Sequence, residues 1–521
     1  MIKRLLHFLV SCSMLSEALW QMIHDDPRNF LFKVSERIRM SSLGKMIPAV
    51  VPKLSRLVEG SGQIDRLFRE GALTELISLG QGPHASEFAR SDRRKILRAS
   101  ERWELLHRDV KASIKSLGRS ALGGEIRDTR VAFFLTNSVP YTQSGYTFRS
   151  HEMAKALREI GQSVSMMTRF AYPLVVGRFP KSSAEEIEGI SYYRQLAANY
   201  PPSLLDRHRK SVQLLVDLLR ELRVEVVHTT TDFNNALVVA EAANVVGIPW
   251  VYEIRGELEK TWLSRHPQDL QAELKESDFY KAAREQEEQC MKAAGAVIVL
   301  SEVSRKQLVA RGIEPSKIRV IPNAVESKFV GLKHDRNELR TELGINGEIV
   351  VGTVTSVVGY EGLDTLLRAS AHLPKVTVLI VGDGSERPAL ETLADELNIA
   401  NRVIFAGRQS NDSIWKWYGA LDAFVVPRRN TEVCRTVTPI KPLMAQALGI
   451  EVICSDLPAL REITGNFGTY VAPECPEELA IALSEVERDM PRNSEAIRWA
   501  AEHTWLANAL RVRELYDELL R

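Results

Sequence analysis

The sequence predicts an α/β protein of two doubly wound, Rossmann-like domains preceded by a helical extension. Three observations predict it. From Asp128 to Glu326, short apolar runs alternate with helical periods. A second series of the same kind starts near Glu348. Residues 1–125 show helical periodicity and almost no strand signal. At 521 residues the chain exceeds what one core organises. The predicted division is 1–125, 126–328, 329–495 and an amphipathic helix over 496–521.

In the extension, FLFKVSERIRM and KMIPAVVPKLSRLVEG space apolar residues three and four apart with basic residues between them. Residues 1–125 carry an excess of basic over acidic residues of roughly +7. Such an arm fits an anionic membrane surface; a helical cap packed on the main body with a solvated charged face fits the same pattern. The first residues, MIKRLLHFLVSCSML, imitate a signal peptide. His7, Ser11, Cys12 and Ser13 interrupt the apolar stretch, so an amphipathic helix is the expectation. SLGRSALGGE supplies the loop that ends this region.

In the first domain VAFFLTN is a buried strand, and RSHEMAKALREIG is a helix closed by Gly161. VSMMTRF, VEVVHTTT, VYEIRG and AVIVLSE are the following strands, and IRVIPNAVE closes the half. The second domain's strands are EIVVGTVTS, VTVLIVGDG, RVIFAG, AFVVPR, EVICSD and TYVAP, with helices such as GLDTLLRASAHL between them. The tail, from EAIRWAAEHTW to the end, reads as one long amphipathic helix with Trp499 and Trp505 available as anchors. In open α/β sheets ligands bind beyond the carboxyl ends of the strands, so a cleft between two such domains is where chemistry is expected.

Composition narrows the class. The apolar fraction is 45% and the charged fraction 26%, ordinary for a globular chain. A formal net charge of +1 argues against nucleic acid as partner. Five cysteines without a CxxC pair give neither a zinc pattern nor a disulfide framework, so a reducing cytoplasm is the expected setting.

Several stretches in order carry a family resemblance: VPYTQSGYTFRSHEMAKALREIGQSVSMMTR, PWVYEIRGELEKTW, SEVSRKQLVARGIEPSKIRVIPNAVE, GYEGLDTLLRA, VGDGSERPALETLADELNIANRVIFAGRQ, GALDAFVVPR and TPIKPLMAQALGIEVICSDLPALREI. Over residues 128–521 the chain resembles the retaining glycosyltransferases of the GT-B fold, in the large fourth sequence family. The resemblance implies sugar transfer from a nucleotide-sugar donor with retention of configuration. It places the donor on the second domain and the acceptor, a glycan or a lipid-linked glycan, on the first. It implies no cofactor and no metal. Residence at the inner face of the cell membrane, in surface polysaccharide synthesis, is the expected setting.

The resemblance also assigns residues. Gly145, between a strand and a helix, lets backbone approach the donor, and the helix start offers unpaired N–H groups. The family's usual arginine and lysine for the departing diphosphate are missing: Thr353 and Glu361 stand near those positions. Arg428, Arg435 and Lys441 are the substitute cations, with Thr438 as a further donor. Arg408 and Gln409 occupy the loop expected against the base. On the first domain His228, Glu253 and Arg255 end strands, Arg149 and His151 begin a helix, and all are expected to border the cleft. Thr230 stands where a second histidine is frequent. Met444 replaces the family's ribose-gripping glutamate and cannot accept hydroxyl hydrogen bonds. Two readings follow: an active transferase, or a catalytically degenerate relative that scaffolds or regulates a partner enzyme.

Overall fold

The computed structural model describes residues 14–17, 62–114, 128–410, 412–488 and 491–521. The stretches FLFKVSERIRM, KMIPAVVPKLSRLVEG and SLGRSALGGE lie outside them. The chain divides into two compact units, Met1–Ile298 with Leu515–Arg521, and Val299–Glu514.

In the first unit the strands are β1 (Arg130–Leu135), β2 (Ser163–Thr168), β3 (Ala184–Ile187), β4 (Ile190–Arg194), β5 (Val226–Thr230), β6 (Trp250–Glu253) and β7 (Ala296–Val299). They lie in the order β3-β4-β2-β1-β5-β6-β7. All neighbours are parallel except the β3–β4 hairpin, which the sequence reading had not anticipated. The central strands are buried along both faces, as expected of a parallel sheet covered on both sides. The direction of winding reverses between β1 and β5, and helices that start beside that point have firm caps. Ser144 and Thr147 form a reciprocal capping box at helix Gly145–Glu159. Asp232 caps helix Phe233–Val246.

The described part of the extension packs on this unit. Helices Gln63–Glu70, Leu73–Gln81 and Arg90–Leu106 present buried residues such as Leu67, Leu76 and Ile96. Polar ties fix them: the Phe279 N–H donates to the Gly71 carbonyl at 3.1 Å, and the Leu204 N–H to Glu101 at 3.1 Å. Arg108 and His208 both reach Glu241, at 2.5 and 2.9 Å. Burial alone would raise the Glu241 carboxyl; these two donors outweigh it and hold it at about 2. Met14 is wholly buried beside Phe170 and Leu174. No helix among the described residues is long and apolar enough to cross a membrane.

The second unit opens with the short strand β8 (Ile318–Val320). Its sheet follows: β9 (Ile349–Val354), β10 (Val376–Val381), β11 (Val403–Gly407), β12 (Ala423–Val426), β13 (Glu451–Ser455) and β14 (Thr469–Val471). The order is β11-β10-β9-β12-β13-β14, all parallel. The winding reverses between β9 and β12. The tail differs from the single helix expected. Helices Ser494–Glu502 and Trp505–Leu519 are separate, because the His503 carbonyl and the Trp505 N–H both pair with the backbone of Val325. Trp499 does anchor the first of them, donating from its indole to the Ile463 carbonyl at 2.9 Å.

Candidate active site

The first unit holds a cavity of about 220 Å³ at the carboxyl ends of β1, β5 and β6, where the winding reverses. Leu135 ends β1, and Thr136 and Asn137 follow it; Thr230 ends β5, and Thr231 and Asp232 follow it. Arg255, Gly256 and Glu257 follow β6, and Ser144, Tyr146, Thr147 and Ser150 come from the start of helix Gly145–Glu159. Strand ends and a helix start therefore bring hydroxyls, one carboxamide, two carboxylates and one guanidinium into one small space. Gly145 has no atom within 4 Å of where a Cβ would stand, so backbone is open there.

Beneath this cavity lies a buried ionic network centred on Glu253. Arg149 donates to its Oε1, with Nε at 2.8 Å and Nη2 at 2.7 Å. Arg255 holds its Oε2 through Nη2. His228 Nε2 lies 3.5 Å from the same oxygen. Burial acts to raise the Glu253 carboxyl, but Arg255 and Arg149 outweigh it and hold it well below the usual carboxylate range. Burial lowers the His228 imidazole below its ordinary value, against the pull of Glu253. Its ring stacks on Phe133 at 4.5 Å, and its Nδ1 lies 2.7 Å from the Tyr516 hydroxyl.

The structure thus joins His228, Glu253 and Arg255, and separates their parts. Only Arg255 lines the cavity. Its Nη1 is held by the Tyr146 carbonyl at 2.8 Å and the Ser150 hydroxyl at 2.7 Å, and its backbone N–H by Thr231 at 3.0 Å. His228 and Glu253 support it from behind. His151 also points away from the cavity lining, with Nδ1 2.8 Å from the Tyr192 hydroxyl.

In the second unit the cations gather around one carboxylate. Arg428 donates to Glu361 from Nη2 at 2.9 Å and Nε at 3.2 Å, and from Nη1 to the Val437 carbonyl at 3.3 Å. Lys441 Nζ donates to Glu361 Oε1 at 2.9 Å and to the Thr355 hydroxyl. Burial would raise the Glu361 carboxyl; Lys441 and Arg428 overcome that and keep it below its ordinary value. Arg435 is exposed and donates to Asn430 at 3.0 Å. Thr438 is buried, and its hydroxyl has no hydrogen-bond partner among the described residues. Arg408 is exposed, and Gln409 folds back on the Ala406 carbonyl at 2.7 Å. Met444 is 9% exposed and belongs to an apolar cluster with Phe424, Val426 and Leu443.

Sequence reasoning missed Thr136, Asn137, Thr231, Asp232, Glu257 and Thr261 as lining residues. The available signal was position: most of them come just after a strand's last apolar residue. Nothing in the sequence showed that Glu361 would meet Arg428 and Lys441.

Comparison with known proteins agrees with this architecture. Residues 335–503 match the family model Glycosyl transferases group 1, and residues 144–324 match the Glycosyl transferase 4-like domain. The two matches together span more than half of the chain. The D-inositol 3-phosphate glycosyltransferase of Mycobacterium ulcerans is 31% identical over 230 residues, 42% of this chain and 48% of that protein. The protein of the same name from Mycobacterium sp. (strain KMS) is 37% identical over 148 residues, 27% and 34% of the two chains. The chain therefore spans about half the length, or less, of these curated relatives. Among solved structures, sucrose-phosphate synthase from Thermosynechococcus elongatus superposes with a TM-score of 0.56 at 21% identity, covering 75% of this chain and 99% of that one. Anabaena Alr3699/HepE in complex with UDP and glucose gives a TM-score of 0.55 at 19% identity, covering 75% and 99%. These likenesses show the fold. The chain belongs to the group 1 glycosyltransferase family and has the GT-B fold.

Proposed function

We propose that this protein transfers a sugar from a nucleotide-sugar donor to a hydroxyl of a glycan or lipid-linked acceptor, with retention of configuration. One observation carries the reading: the cavity beyond β1, β5 and β6 matches the needs of a polyol. Asp232 and Glu257 accept from sugar hydroxyls, the threonine and serine hydroxyls donate and accept, and Arg255 supplies positive charge. Family membership and relatives named as inositol-phosphate glycosyltransferases support a polyol acceptor. A solved neighbour holding UDP supports a nucleotide donor. The donor's diphosphate is read onto the second unit, at Lys441 and Thr438. Arg408 and Gln409 flank the base, and Met444 leaves the ribose without a charged acceptor. The reading uses no metal and no cofactor. Charge developing on the leaving diphosphate is met by protein donors, and that phosphate takes the acceptor hydroxyl's proton.

The test is a transfer assay with a panel of nucleotide sugars against inositol phosphates and lipid-linked glycans, read by mass spectrometry, with the anomeric configuration read by nuclear magnetic resonance. Transfer from one donor, undiminished by chelator and reduced at least tenfold in Arg255→Met, is the expected result. Failure of every nucleotide sugar to bind folded protein overturns it.

A second reading is a degenerate transferase that scaffolds a partner enzyme. Met444 inside an apolar cluster and Arg428 committed to Glu361 favour it. Binding without transfer across the panel selects it. The expected site of action is the inner membrane face in surface polysaccharide synthesis. Arg90, Arg93 and Leu97 are exposed on helix Arg90–Leu106 and suit an anionic surface. Reversing both arginines to glutamate then lowers binding to anionic vesicles; unchanged binding removes the membrane from the proposal.

A further inference from the structure

We infer that Glu361 is a positioning residue that presents the Lys441 ammonium to the donor's diphosphate and withdraws Arg428 from it. The inference rests on the transferase reading above and adds a division of labour between the cations.

Glu361 cannot move far. It ends the short turn Gly359–Glu361, and the next residue, Gly362, has φ +67. A Cβ on Gly362 would stand 2.0 Å from the Pro427 carbonyl oxygen, so only glycine lets this turn lie against the chain leaving β12. The Arg429 N–H closes the contact by donating to the Tyr360 carbonyl at 3.1 Å. Glu361 is thereby fixed beside Arg428, and its carboxylate is buried.

The donors then count out unequally. The Arg428 guanidinium spends Nε and Nη2 on Glu361 and Nη1 on the Val437 carbonyl, and the residue is buried. Its charge is cancelled where it stands. Lys441 has three ammonium hydrogens. Among the described residues two are taken, by Glu361 and Thr355, and its side chain is 24% exposed. The two fixed acceptors orient the third hydrogen, and the cluster retains one net positive charge. That suits one phosphate oxygen held by a charge-assisted hydrogen bond.

The test measures nucleoside diphosphate binding by calorimetry, with melting temperature recorded for each variant and binding measured well below every melting point. Wild-type protein that binds none of the common nucleoside diphosphates ends the transferase reading and this inference together. Given wild-type binding, Lys441→Met is expected to weaken it about tenfold or more. Glu361→Gln decides the inference by sign. Removing a negative charge beside a cation favours anion binding on Coulomb grounds alone. A positioning role predicts the reverse, a several-fold weaker affinity. Tighter or unchanged binding in Glu361→Gln overturns the inference and leaves the transferase reading standing. The paired exchange Glu361→Lys with Lys441→Glu guards against misfolding. It is expected to recover melting temperature relative to either single change, because the ion pair is rebuilt, without recovering affinity. No recovery of melting temperature contradicts the pairing on which the positioning role rests.

Discussion

Each unit buries one glutamate between two cations, and the two arrangements differ in what they leave open. In the first, Glu253 holds Arg149 and Arg255 beneath a cavity that Arg255 lines. In the second, Glu361 holds Arg428 and Lys441, and Lys441 keeps partial exposure. The same device serves both: one cation is consumed in the fold, while the other lines a cavity, as Arg255 does, or keeps partial exposure, as Lys441 does. The surroundings set the difference. The first unit surrounds its guanidinium with hydroxyls and carboxylates, which suits a neutral polyol. The second has a lysine and a threonine hydroxyl without a hydrogen-bond partner among the described residues, which suits an anion. A buried ion pair is weak evidence for stability, so what both glutamates share is better read as control of direction.

The largest predicted effect breaks the first arrangement. Glu253→Ala leaves two buried arginines without their partner and is expected to cost about 3–5 kcal/mol of unfolding free energy, measured by urea denaturation. A loss below about 1 kcal/mol would show that Arg149 and Arg255 do not depend on it. Met444→Glu comes next. It places a carboxylate in the apolar cluster beside Phe424 and Leu443, with an expected loss of about 1–3 kcal/mol. A gain in nucleotide affinity at unchanged stability would instead return position 444 to the donor site.

Titration separates two buried glutamates, Glu287 and Glu361, by sign. Burial pushes the Glu287 carboxyl of the first unit up to about 8, although it accepts from the Tyr252 hydroxyl at 2.5 Å and the Phe233 N–H at 2.7 Å. An unfolded glutamate titrates near about 4.3. Between those values the folded state holds the extra proton, so Glu287 makes stability fall as pH rises towards 8. Glu361 is held below its ordinary value, so its contribution is present above the unfolded pKa and is lost as pH falls. Glu287→Gln is therefore expected to flatten the decline of melting temperature between pH 5 and 8. An unaltered pH profile would contradict the assignment. The smallest effect is Asp232→Asn, which preserves the cap of helix Phe233–Val246. It is expected to leave stability within about 0.5 kcal/mol while raising the acceptor KM about tenfold. An unchanged KM would remove Asp232 from acceptor binding.

Much of this fold was legible because parallel strands buried on both faces read as short apolar runs. AVIVL and VTVLIV could hardly be anything else in that alternation. The β3–β4 hairpin was not legible: its strands mix glutamate with tyrosine, and its turn is Glu188-Gly189 instead of an asparagine-glycine pair. The break at His503–Thr504 has no proline or glycine to announce it; pairing with Val325 imposes it. The sites divide the same way. Glu253 and Arg255 were found by their place at and just after a strand's end; His228 was expected at a strand's end but sits in the middle of β5, and which of the three faces the cavity depends on burial that only packing decides. Glu361 was visible as a departure from the family's lysine. Its partners lie 67 and 80 residues away in sequence, and no local pattern joins them.

A crystal structure with a nucleoside diphosphate bound tests the division of cations most directly. A phosphate oxygen about 3 Å from Lys441 Nζ, with Arg428 still on Glu361, is the predicted result. A phosphate held by Arg428 after its release from Glu361, or one lying remote from Lys441, would contradict it.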